Sequence, residues 1–477
     1  MSAASFSLIH AFKWSMASEI ASKVIQPIVF IVLARLLTPD DFGVMSSALM
    51  VISFSQIFWE AGMGKALIQR QTDIEAAANV AFWINIALGS AITMLLFVAA
   101  SPIAQTFFYD ERVTAVIQFM TLQVFLGATT SVHTALLQKE MGFKRLFWIR
   151  FITVGLPGLA SIPLAWYGMG YWALVMGTLV GQLTQVLVLW RLSPWRPSWT
   201  FDVPVAKEMA YFGAWVGLTG LLAWGYSWLD GFIVIIYFGV EKLGLFRTGN
   251  QFAIAVFSLF FSFYTPVLYA SFSLINIDSV GVREHLFRIS RLVPVVSLPL
   301  AMGVVLFRVE IETILFGSKW SGIAYVIAMI AIKESVLWIF AYNIEAYRAL
   351  GQPKLETIIA FGSVLLSPLV LIYFASKGFN EFVFARSIIL GLIGVTIHVG
   401  VASYHFGICG RTYLRILVYI VLCLCSIAFG LALEGIVTIF VCIVVKLVLP
   451  FLLFILLLRL EINNLRHIVL VTRWGNT

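Results

Sequence analysis

The sequence has few charged residues for its length. Only 11% of the 477 residues are charged, whereas soluble domains contain roughly 25%. The mean hydropathy is +0.99, and a water-soluble core cannot absorb this much apolar sequence. The composition therefore excludes a soluble globular protein and predicts a chain whose solvent is lipid.

Cysteine is also scarce, with Cys409, Cys423, Cys425 and Cys442 as the four examples. They lie late in the chain, without the spacing of a metal site or of a disulfide-rich secreted domain. We interpret them as small packing residues and expect neither a metal nor a cofactor. A nucleotide-binding G-x-x-x-x-G-K-[ST] sequence is missing as well, which argues against ATP as a driving force.

Apolar runs long enough to cross about 30 Å of hydrocarbon recur along the whole chain. We expect an all-α integral membrane protein with about fourteen transmembrane helices. They include residues 43–69, 113–138, 209–238 and 244–275. The connections between the runs leave no room for a folded soluble domain, as a membrane enzyme with a large catalytic loop would need.

The net charge is +8, and the position of the basic residues along the chain decides how this charge is interpreted. In a soluble protein it would favour a nucleic-acid partner, but here the basic residues lie between the apolar runs. This is typical of the positive-inside rule. With the N-terminus in the cytoplasm, most basic residues of the connections fall inside. We therefore expect a multi-pass protein with both termini cytoplasmic and no nucleic-acid partner.

A weak internal repeat connects "RLLTPDDFGVMSSA" with "IYFGVEKLGLFRTGN", in which Gly43 and Gly244 correspond. Parallel six-helix repeats predict two lobes related by a pseudo-twofold axis around a central cavity. The expected division is an N-terminal lobe at 1–200, a C-terminal lobe at 201–408 and two additional helices with a cytoplasmic tail at 409–477. The alternative is that short loops rich in glycine and aspartate resemble one another by chance.

Three motifs in the first half of the chain resemble a known family. They are "ARLLTPDDFG" after the first helix, "GMGKALIQRQ" at the end of the second and "ALLQKEMGFKRL" after the fourth. They are similar to those of the Wzx-type polysaccharide flippases of the multidrug/oligosaccharidyl-lipid/polysaccharide exporter superfamily. The resemblance implies a two-lobed core of twelve helices, here with two extra C-terminal helices.

The same resemblance implies a transport function rather than an enzyme. The cargo would be an undecaprenyl-type lipid-linked oligosaccharide, carried by alternating access to the outer leaflet of a bacterial cytoplasmic (inner) membrane. Such a unit is a precursor of exopolysaccharide or O-antigen, so polysaccharide polymerase machinery and membrane lipids are expected partners. A drug/cation antiporter of the same superfamily is the near alternative, and a membrane glycan polymerase or ligase is the alternative from a different class.

The first apolar helix contains charges within "MASEIASKVIQP". Glu19, Lys23 and Gln26 lie on one helical face, and Pro27 favours a kink there. Because charged groups at membrane depth face protein or water rather than lipid, Glu19 and Gln26 are expected to line a cavity and Lys23 to bind a pyrophosphate. The alternative is a self-neutralised pair of Glu19 and Lys23 that fixes helix packing.

The second helix has a similar polar stripe. Gln56 and Glu60 are predicted to line the cavity, and Lys65 stands beside glycines that would let a headgroup approach the backbone closely. We predict Lys65 as a second pyrophosphate ligand and Arg247 as a third, from the other lobe. An anchor at the outer membrane interface is the alternative for Arg247.

Two later segments combine acids with aromatic residues. Asp230 has no lysine or arginine three or four residues away, so we expect it to bind H⁺ or Na⁺, unless it lies at a hydrated helix end. Glu334 is a second candidate for ion coupling. Trp338 and Tyr342 share its helical face and are predicted to line the cavity, although most tryptophans in membrane proteins belong to the interface or the core.

Overall fold

The computed structural model describes residues 25–60, 62–140, 143–261, 279–349, 353–406, 410–433 and 439–474. Helices are the only regular secondary structure in these ranges, which confirms the predicted all-α class. Glu19 and Lys23 lie outside the described residues.

The helices of the first half are α1 (Ile25–Leu36), α2 (Pro39–Glu60), α3 (Met63–Gln69), α4 (Ile74–Ile103), α5 (Arg112–Lys139), α6 (Phe143–Trp166), α7 (Tyr171–Leu192) and α8 (Val203–Phe261). The later helices are α9 (Ser279–Leu306), α10 (Ile323–Ala349), α11 (Pro353–Ala375), α12 (Leu390–Phe406), α13 (Gly410–Ala432) and α14 (Ile439–Trp474). A π-helical turn, Ala104–Phe108, extends α4, and a bent segment, Arg308–Phe316, follows α9. A short helix, Phe379–Phe384, and a π-helical turn, Ala385–Ile389, lead directly into α12.

The helices have the length and composition of membrane spans. Among the described residues, ten stretches are long and apolar enough to cross a bilayer, or eleven if the bent pair Leu292–Leu306 and Arg308–Phe316 is one span. The chain is therefore a multi-pass membrane protein, but the described residues do not confirm the predicted count of fourteen. Some predicted spans agree closely with observed helices: the span predicted at 113–138 corresponds to α5, Arg112–Lys139.

The chain divides into two compact units, residues 1–248 and 249–477. The lobe boundaries expected at residues 200 and 408 stay a prediction. Within the first unit, α5 packs against α2, α3, α4 and α7, and much of its surface is buried. This central position means that the buried polar residues of α5, Thr121, Thr130 and His133, face other helices of the unit.

The start of α2 is fixed by its own sequence. The Asp41 carboxylate accepts hydrogen bonds from the Thr38 backbone N–H (2.9 Å) and from the Thr38 hydroxyl (2.7 Å), while the Asp41 N–H donates to Thr38 Oγ1 (3.2 Å). This reciprocal arrangement is a capping box. Pro39 occupies the first helical position, where its missing N–H has no cost. The motif "LTPDD" is therefore a helix start, four residues earlier than the predicted span at 43–69.

Helix α8 consists of two segments with a break at Gly239. This residue has φ 81° and ψ −178°, a conformation that only glycine adopts readily. The break falls between the predicted spans at 209–238 and 244–275. The second segment begins beside α2, and this brings distant parts of the first unit into contact.

The two glycines of the sequence repeat meet at that contact. A Cβ atom on Gly43 would lie 2.0 Å from the Val240 carbonyl oxygen, and one on Gly244 would lie 1.8 Å from the Pro39 carbonyl oxygen. The backbones of α2 and of the second segment of α8 therefore touch without intervening side chains. Only glycine permits this approach at either position.

In the second unit, α9 packs against α10, α13 and α14. The Lys446 ammonium of α14 lies 2.5 Å from Glu310 Oε1 of the bent segment that follows α9. Tyr419 of α13 donates a hydrogen bond of 2.7 Å to Glu461 Oε1 of α14. Lys446 and Glu461 are both buried, so these polar contacts tie the C-terminal helices together and to the rest of the unit.

Candidate functional site

A cavity of about 600 Å³ lies within the first unit. Five helices form its walls: α2, α3, α5, α7 and the first segment of α8. The lining residues are Ser53, Gln56, Ile57, Gly64, Lys65, Ile68, Gln123, Gly127, Thr130, Ser131, Thr134, Ala135, Gln138, Gln182, Gln185, Gly220, Ala223, Trp224, Ser227 and Trp228.

The lining is polar but almost uncharged. Glutamine side chains come from α2, α5 and α7, hydroxyl groups come from α2, α5 and α8, and two tryptophans come from α8. Lys65 is the one charged side chain among the described lining residues, and no carboxylate occurs among them. Such a surface can bind an anion at one point and offers many neutral donors and acceptors elsewhere.

Helix α5 supplies a polar stripe because its residues follow the helical period. Gln123, Gly127, Thr130, Thr134 and Gln138 recur at intervals of three or four residues and lie on one face. The rise of 1.5 Å per residue spreads this stripe over about 22 Å of helix. The cavity is therefore elongated along α5.

The two ends of the cavity differ in chemistry. A Cβ atom on Gly64 would lie 3.6 Å from Ser131 Oγ and 3.9 Å from Ala135 Cβ, so neighbouring Lys65 of α3 lies beside the C-terminal half of α5. At the other end, Trp224 donates a hydrogen bond of 3.1 Å from its indole N–H to Ser53 Oγ. We call these the lysine end (Gly64, Lys65, Gln138) and the indole end (Ser53, Trp224, Ser227, Trp228). Gln123 is assigned to the indole end because it lies at the opposite end of the α5 stripe from Gln138.

The indole rings are held in place from outside the cavity. Trp224 packs edge-on against Phe54, with ring centroids 4.9 Å apart. The Arg247 guanidinium carbon lies 3.7 Å from the centroid of the Trp228 ring, and Arg247 also donates a hydrogen bond of 2.9 Å to the Ser227 carbonyl oxygen. These contacts fix both rings before any ligand arrives.

One lining atom lacks a hydrogen-bond partner. The Oε1 atom of Gln123 is buried and accepts no hydrogen bond from any described residue. A buried polar atom without a partner is costly, by about 1–3 kcal/mol. A rotation of the Gln123 side chain that turns this atom toward the cavity would let a donor from a ligand or from water satisfy it.

The predicted site residues are distributed over both units. Lys65 and Gln56 both line the cavity, and their roles in binding the cargo stay predictions. Gln26 is exposed on α1. Glu60 and Tyr342 lie in helices, but their side chains are outside the described residues, as are Glu19 and Lys23 altogether. Of the predicted cavity and pyrophosphate residues whose side chains the structure describes, two therefore line this cavity.

The role of Asp230 in binding H⁺ or Na⁺ stays a prediction, but its surroundings differ from those that the local sequence indicated. Asp230 does have a cationic neighbour, because Arg247 Nη1 lies 3.9 Å from its Oδ1 across the break at Gly239. Its Oδ1 also accepts a hydrogen bond of 2.7 Å from the Gly231 N–H. Both charged side chains are largely buried, with 7% of Asp230 and 19% of Arg247 exposed. Arg247 thus packs against Trp228 behind the cavity wall, and it is not itself one of the lining residues.

In the second unit, Glu334 forms an ion pair of 3.0 Å with the adjacent Lys333. Both residues are buried. Trp338, one helical turn further, stacks on Phe261 with ring centroids 4.9 Å apart. The role in ion coupling for Glu334 and the cavity role for Trp338 stay predictions. Among the described residues, no group of three or more histidine, cysteine or acidic side chains could hold a metal ion.

Sequence reasoning missed most of the neutral lining. Gln123 and Gln138 on α5, Gln182 and Gln185 on α7, and the two indoles of α8 were not selected. The signal was present, because the polar residues of α5 and α7 repeat at helical intervals within apolar spans. It was overlooked because neutral side chains were selected only where they share a helical face with a charged residue.

Comparisons with known proteins agree with this architecture. A family profile described as polysaccharide biosynthesis protein matches residues 32–325. The succinoglycan biosynthesis transport protein ExoT of Rhizobium meliloti is 24% identical over 341 residues, which are 71% of this chain and 68% of ExoT. The lipopolysaccharide biosynthesis protein WzxC of Escherichia coli is 21% identical over 401 residues, or 82% of this chain and 77% of WzxC.

A solved structure shares the fold. The lipid II flippase MurJ in its inward closed conformation superimposes with a TM-score of 0.76 at 13% identity, over 94% of this chain and 99% of that one. At this identity the similarity concerns the fold alone.

Proposed function

We propose that this chain, which belongs to the polysaccharide biosynthesis protein family, is a flippase for polyprenyl-pyrophosphate-linked oligosaccharides. The family match covers residues 32–325, which confirms the resemblance seen in the three sequence motifs. The names of its relatives, a succinoglycan biosynthesis transport protein and a lipopolysaccharide biosynthesis protein, support a saccharide cargo.

The observation that carries the proposal is the composition of the cavity. A single cation, Lys65, stands in a lining that is otherwise formed by amides, hydroxyls, indoles and small apolar groups. A lysine ammonium is a point charge suited to phosphate. Amides and hydroxyls can exchange hydrogen bonds with sugar hydroxyls, and indole rings can pack against the C–H faces of sugars.

In the proposed cycle, Lys65 binds the pyrophosphate while the sugars occupy the polar cavity. The polyprenyl tail stays in the hydrocarbon of the membrane, where its transfer has no cost. Alternating access then exposes the sugars on the outer side of a bacterial inner membrane, with both termini cytoplasmic. Asp230 and Glu334 are the candidates for coupling this movement to an H⁺ or Na⁺ gradient, and polysaccharide polymerase machinery would receive the product.

The lining favours this function over a drug/cation antiporter. A cationic substrate would require a carboxylate or another negative group to replace its hydration. None occurs among the described lining residues, and the charged residue that is present would repel a cation. An anionic headgroup fits the cavity better.

The test is a flipping assay with purified full-length protein in liposomes. The substrate is an undecaprenyl-pyrophosphate-linked oligosaccharide with a radiolabelled sugar, and a glycosidase that cannot cross the membrane cleaves only the glycan exposed outside. The wild-type chain should make the protected fraction accessible, whereas empty liposomes should not. Equal protection with and without the protein would overturn the proposal.

Lys65 variants sharpen this test. Loss of a charge-assisted hydrogen bond worth about 1.5–3 kcal/mol predicts that Lys65→Ala slows flipping by about tenfold or more. Lys65→Arg keeps the charge and should retain more activity. Lys207→Ala is the matched control, because Lys207 is an exposed lysine of α8 outside the cavity lining. Equal rates for Lys65→Ala and Lys207→Ala would remove Lys65 from the binding site.

A further inference from the structure

We propose that the indole end of the cavity is a subsite for an uncharged sugar of the cargo, distinct from the pyrophosphate position at Lys65. This inference rests on the proposed function and adds the chemical class and the direction of the glycan. It depends on the arrangement of Gln123, Trp224 and Trp228, which sequence reasoning had not connected.

The first argument is the rigidity of the two indoles. Trp224 is fixed by its hydrogen bond to Ser53 and by the edge of Phe54, and Trp228 is fixed by the Arg247 guanidinium. Rings that are already ordered lose little conformational freedom when a ligand binds. The apolar face of a pyranose is a natural partner for such rings because it presents C–H groups to them.

The second argument is the unsatisfied acceptor of Gln123. Its Oε1 atom is buried and has no donor among the described residues. A sugar hydroxyl can donate to it, whereas a carboxylate or a phosphate has only acceptor oxygens when ionised. Two acceptors facing each other repel. The Nε2 group of Gln123 can donate to a carboxylate, but only a hydroxyl group can also satisfy the Oε1 acceptor. The glutamine therefore favours a hydroxyl group over the carboxylate of a uronic acid at this atom.

The third argument is electrostatic. The indole end has no charged lining residue among those described, and the nearby Arg247 lies beside Asp230 at 3.9 Å. The two opposite charges largely cancel at a distance. A uronate placed here would lose its hydration without gaining a dedicated cation, and this is costly. An uncharged sugar loses much less.

The geometry also gives the glycan a direction. Gln123 precedes Ser131 by eight residues on α5, which is about 12 Å along the helix axis, and Ser131 lies beside Gly64, next to Lys65. One phosphate group cannot reach both ends. The pyrophosphate at Lys65 and the sugar at Trp228 are therefore different parts of one elongated headgroup, with the glycan extending along α5 away from Lys65.

The experiment measures sugar binding without lipid or phosphate. Purified full-length protein in detergent is titrated with a panel of neutral gluco-, galacto- and manno-oligosaccharides, with the same oligosaccharides carrying one glucuronic acid, and with inorganic pyrophosphate. Dissociation constants come from saturation-transfer-difference NMR. At least one neutral oligosaccharide should bind with a Kd below about 10 mM, at least threefold more tightly than its uronate counterpart, which corresponds to roughly half of one hydrogen bond.

Variants locate the binding. Gln123→Met removes the acceptor and should raise the Kd of the neutral oligosaccharide by about three- to tenfold. The Kd of pyrophosphate should be unchanged. Gln118→Met is the matched control, since Gln118 lies on the same helix outside the cavity lining. Trp228→Phe keeps an aromatic ring but reduces the ring area available to the sugar. It should raise the Kd of the neutral oligosaccharide more than Trp199→Phe, which changes an exposed tryptophan outside the cavity lining.

The outcomes separate this inference from the proposed function. If no neutral oligosaccharide in the panel binds, or if Gln123→Met and Gln118→Met bind alike, the sugar subsite is wrong, even when flipping and its dependence on Lys65 are intact. If the wild-type chain does not flip the lipid-linked substrate, the proposed function fails, whereas the sugar titration still gives its own answer.

Discussion

The Asp230 carboxylate lies 3.9 Å from the Arg247 guanidinium, and the two residues stand on opposite sides of the break in α8 at Gly239. The pair therefore links the first segment of α8, which lines the cavity, to the second segment, which packs against α2. Arg247 also covers one ring of the cavity wall, Trp228. A change in the charge of Asp230 would consequently reach the binding site through one intermediate side chain.

We predict that Asp230→Asn weakens both stability and flipping, because it leaves the largely buried Arg247 without the charge of its partner. Breaking a buried pair costs about 3–5 kcal/mol, and the 3.9 Å separation and partial exposure of Arg247 place this case nearer 1–3 kcal/mol. The double variant Asp230→Asn/Arg247→Gln should recover part of the loss in thermal stability. Strictly additive effects in this double-mutant cycle would mean that the two residues do not interact.

The same variant tests ion coupling. If Asp230 takes up H⁺ or Na⁺ during transport, flipping by the wild-type chain in liposomes should respond to an imposed gradient, and flipping by Asp230→Asn should not. The Lys207→Ala protein serves as the gradient control. A variant that responds to the gradient just as the wild type does would leave Asp230 with a structural role only.

A second prediction concerns the C-terminal helices. Lys446 is buried and lies 2.5 Å from Glu310, so Lys446→Met removes the charge that faces Glu310 in the second unit. The loss should be about 3 kcal/mol or somewhat less, since 31% of the Glu310 side chain is exposed. Adding Glu310→Gln should restore much of the lost stability, measured as the fraction of detergent-solubilised protein that stays monodisperse after heating.

The ion pair of Lys446 and Glu310 also predicts how removal of the C-terminal helices affects the amount of protein recovered from membranes. A chain truncated after Arg411 lacks Lys446 and retains Glu310, so it should be recovered from membranes in lower amounts than the full chain. The same truncation with Glu310→Gln should be recovered better. Equal recovery of both truncated chains would show that the pair has no part in the stability of the unit.

A third prediction is acid lability at the start of α5. Burial alone would raise the pKa of Asp110, but hydrogen bonds from the side chain and backbone N–H of Arg112, together with its charge, outweigh burial and hold that pKa below its ordinary value. Because the folded pKa is lowered, the stabilising contribution is complete above the pKa of the unfolded chain, about 3.9. It is lost as the pH falls through the lower folded value.

The measurement is thermal unfolding of the purified protein between about pH 6 and pH 3. Asp110→Asn should lower stability near neutral pH by at most about 1 kcal/mol, as for other exposed ion pairs, and its unfolding temperature should fall less steeply on acidification. Glu111→Gln is the control, from the neighbouring acid. An identical slope for wild type and Asp110→Asn would contradict the assignment.

A fourth prediction tests the close contact of α2 with α8. Gly244→Ala would place a Cβ atom 1.8 Å from the Pro39 carbonyl oxygen, so the backbones must separate at a cost of about 1–3 kcal/mol or more. Gly225→Ala, in the same helix, meets nothing within 4 Å and should be neutral or slightly stabilising. If both variants have the same unfolding temperature, the two backbones do not touch in the native protein.

Local features of this fold were readable in the sequence, since they depend on residues close together in the chain. The period of apolar residues located α5 within one residue at each end. The polar stripe of the second helix pointed to Gln56, and the neighbouring glycines pointed to Lys65. The start of α2 was placed too late because Pro39 and Asp41 were taken for a loop. Their capping role depends on Thr38, which the apolar pattern alone does not reveal.

The tertiary features were not readable in the same way. The proximity of Arg247 to Asp230 arises because the chain breaks at Gly239 and the second segment of α8 folds beside the first. In the sequence, no lysine or arginine lies within one helical turn of Asp230, so the local pattern does not reveal this pair. Similarly, Gln123 and Trp228 come from different helices, and a neutral polar residue in an apolar span is as common in helix packing as in a binding site. Only their shared cavity distinguishes them.

The contact between Gly43 and Gly244 also constrains how relatives of this chain can diverge. Each of these glycines, matched in the sequence repeat, faces the backbone that carries the other, so a larger residue at one position requires a displacement at both. Tolerated substitutions at the two sites should therefore be statistically dependent across homologous sequences, with paired changes more frequent than independent ones. A duplicated motif that contacts its own copy would then evolve as one unit, although about 200 residues separate its halves.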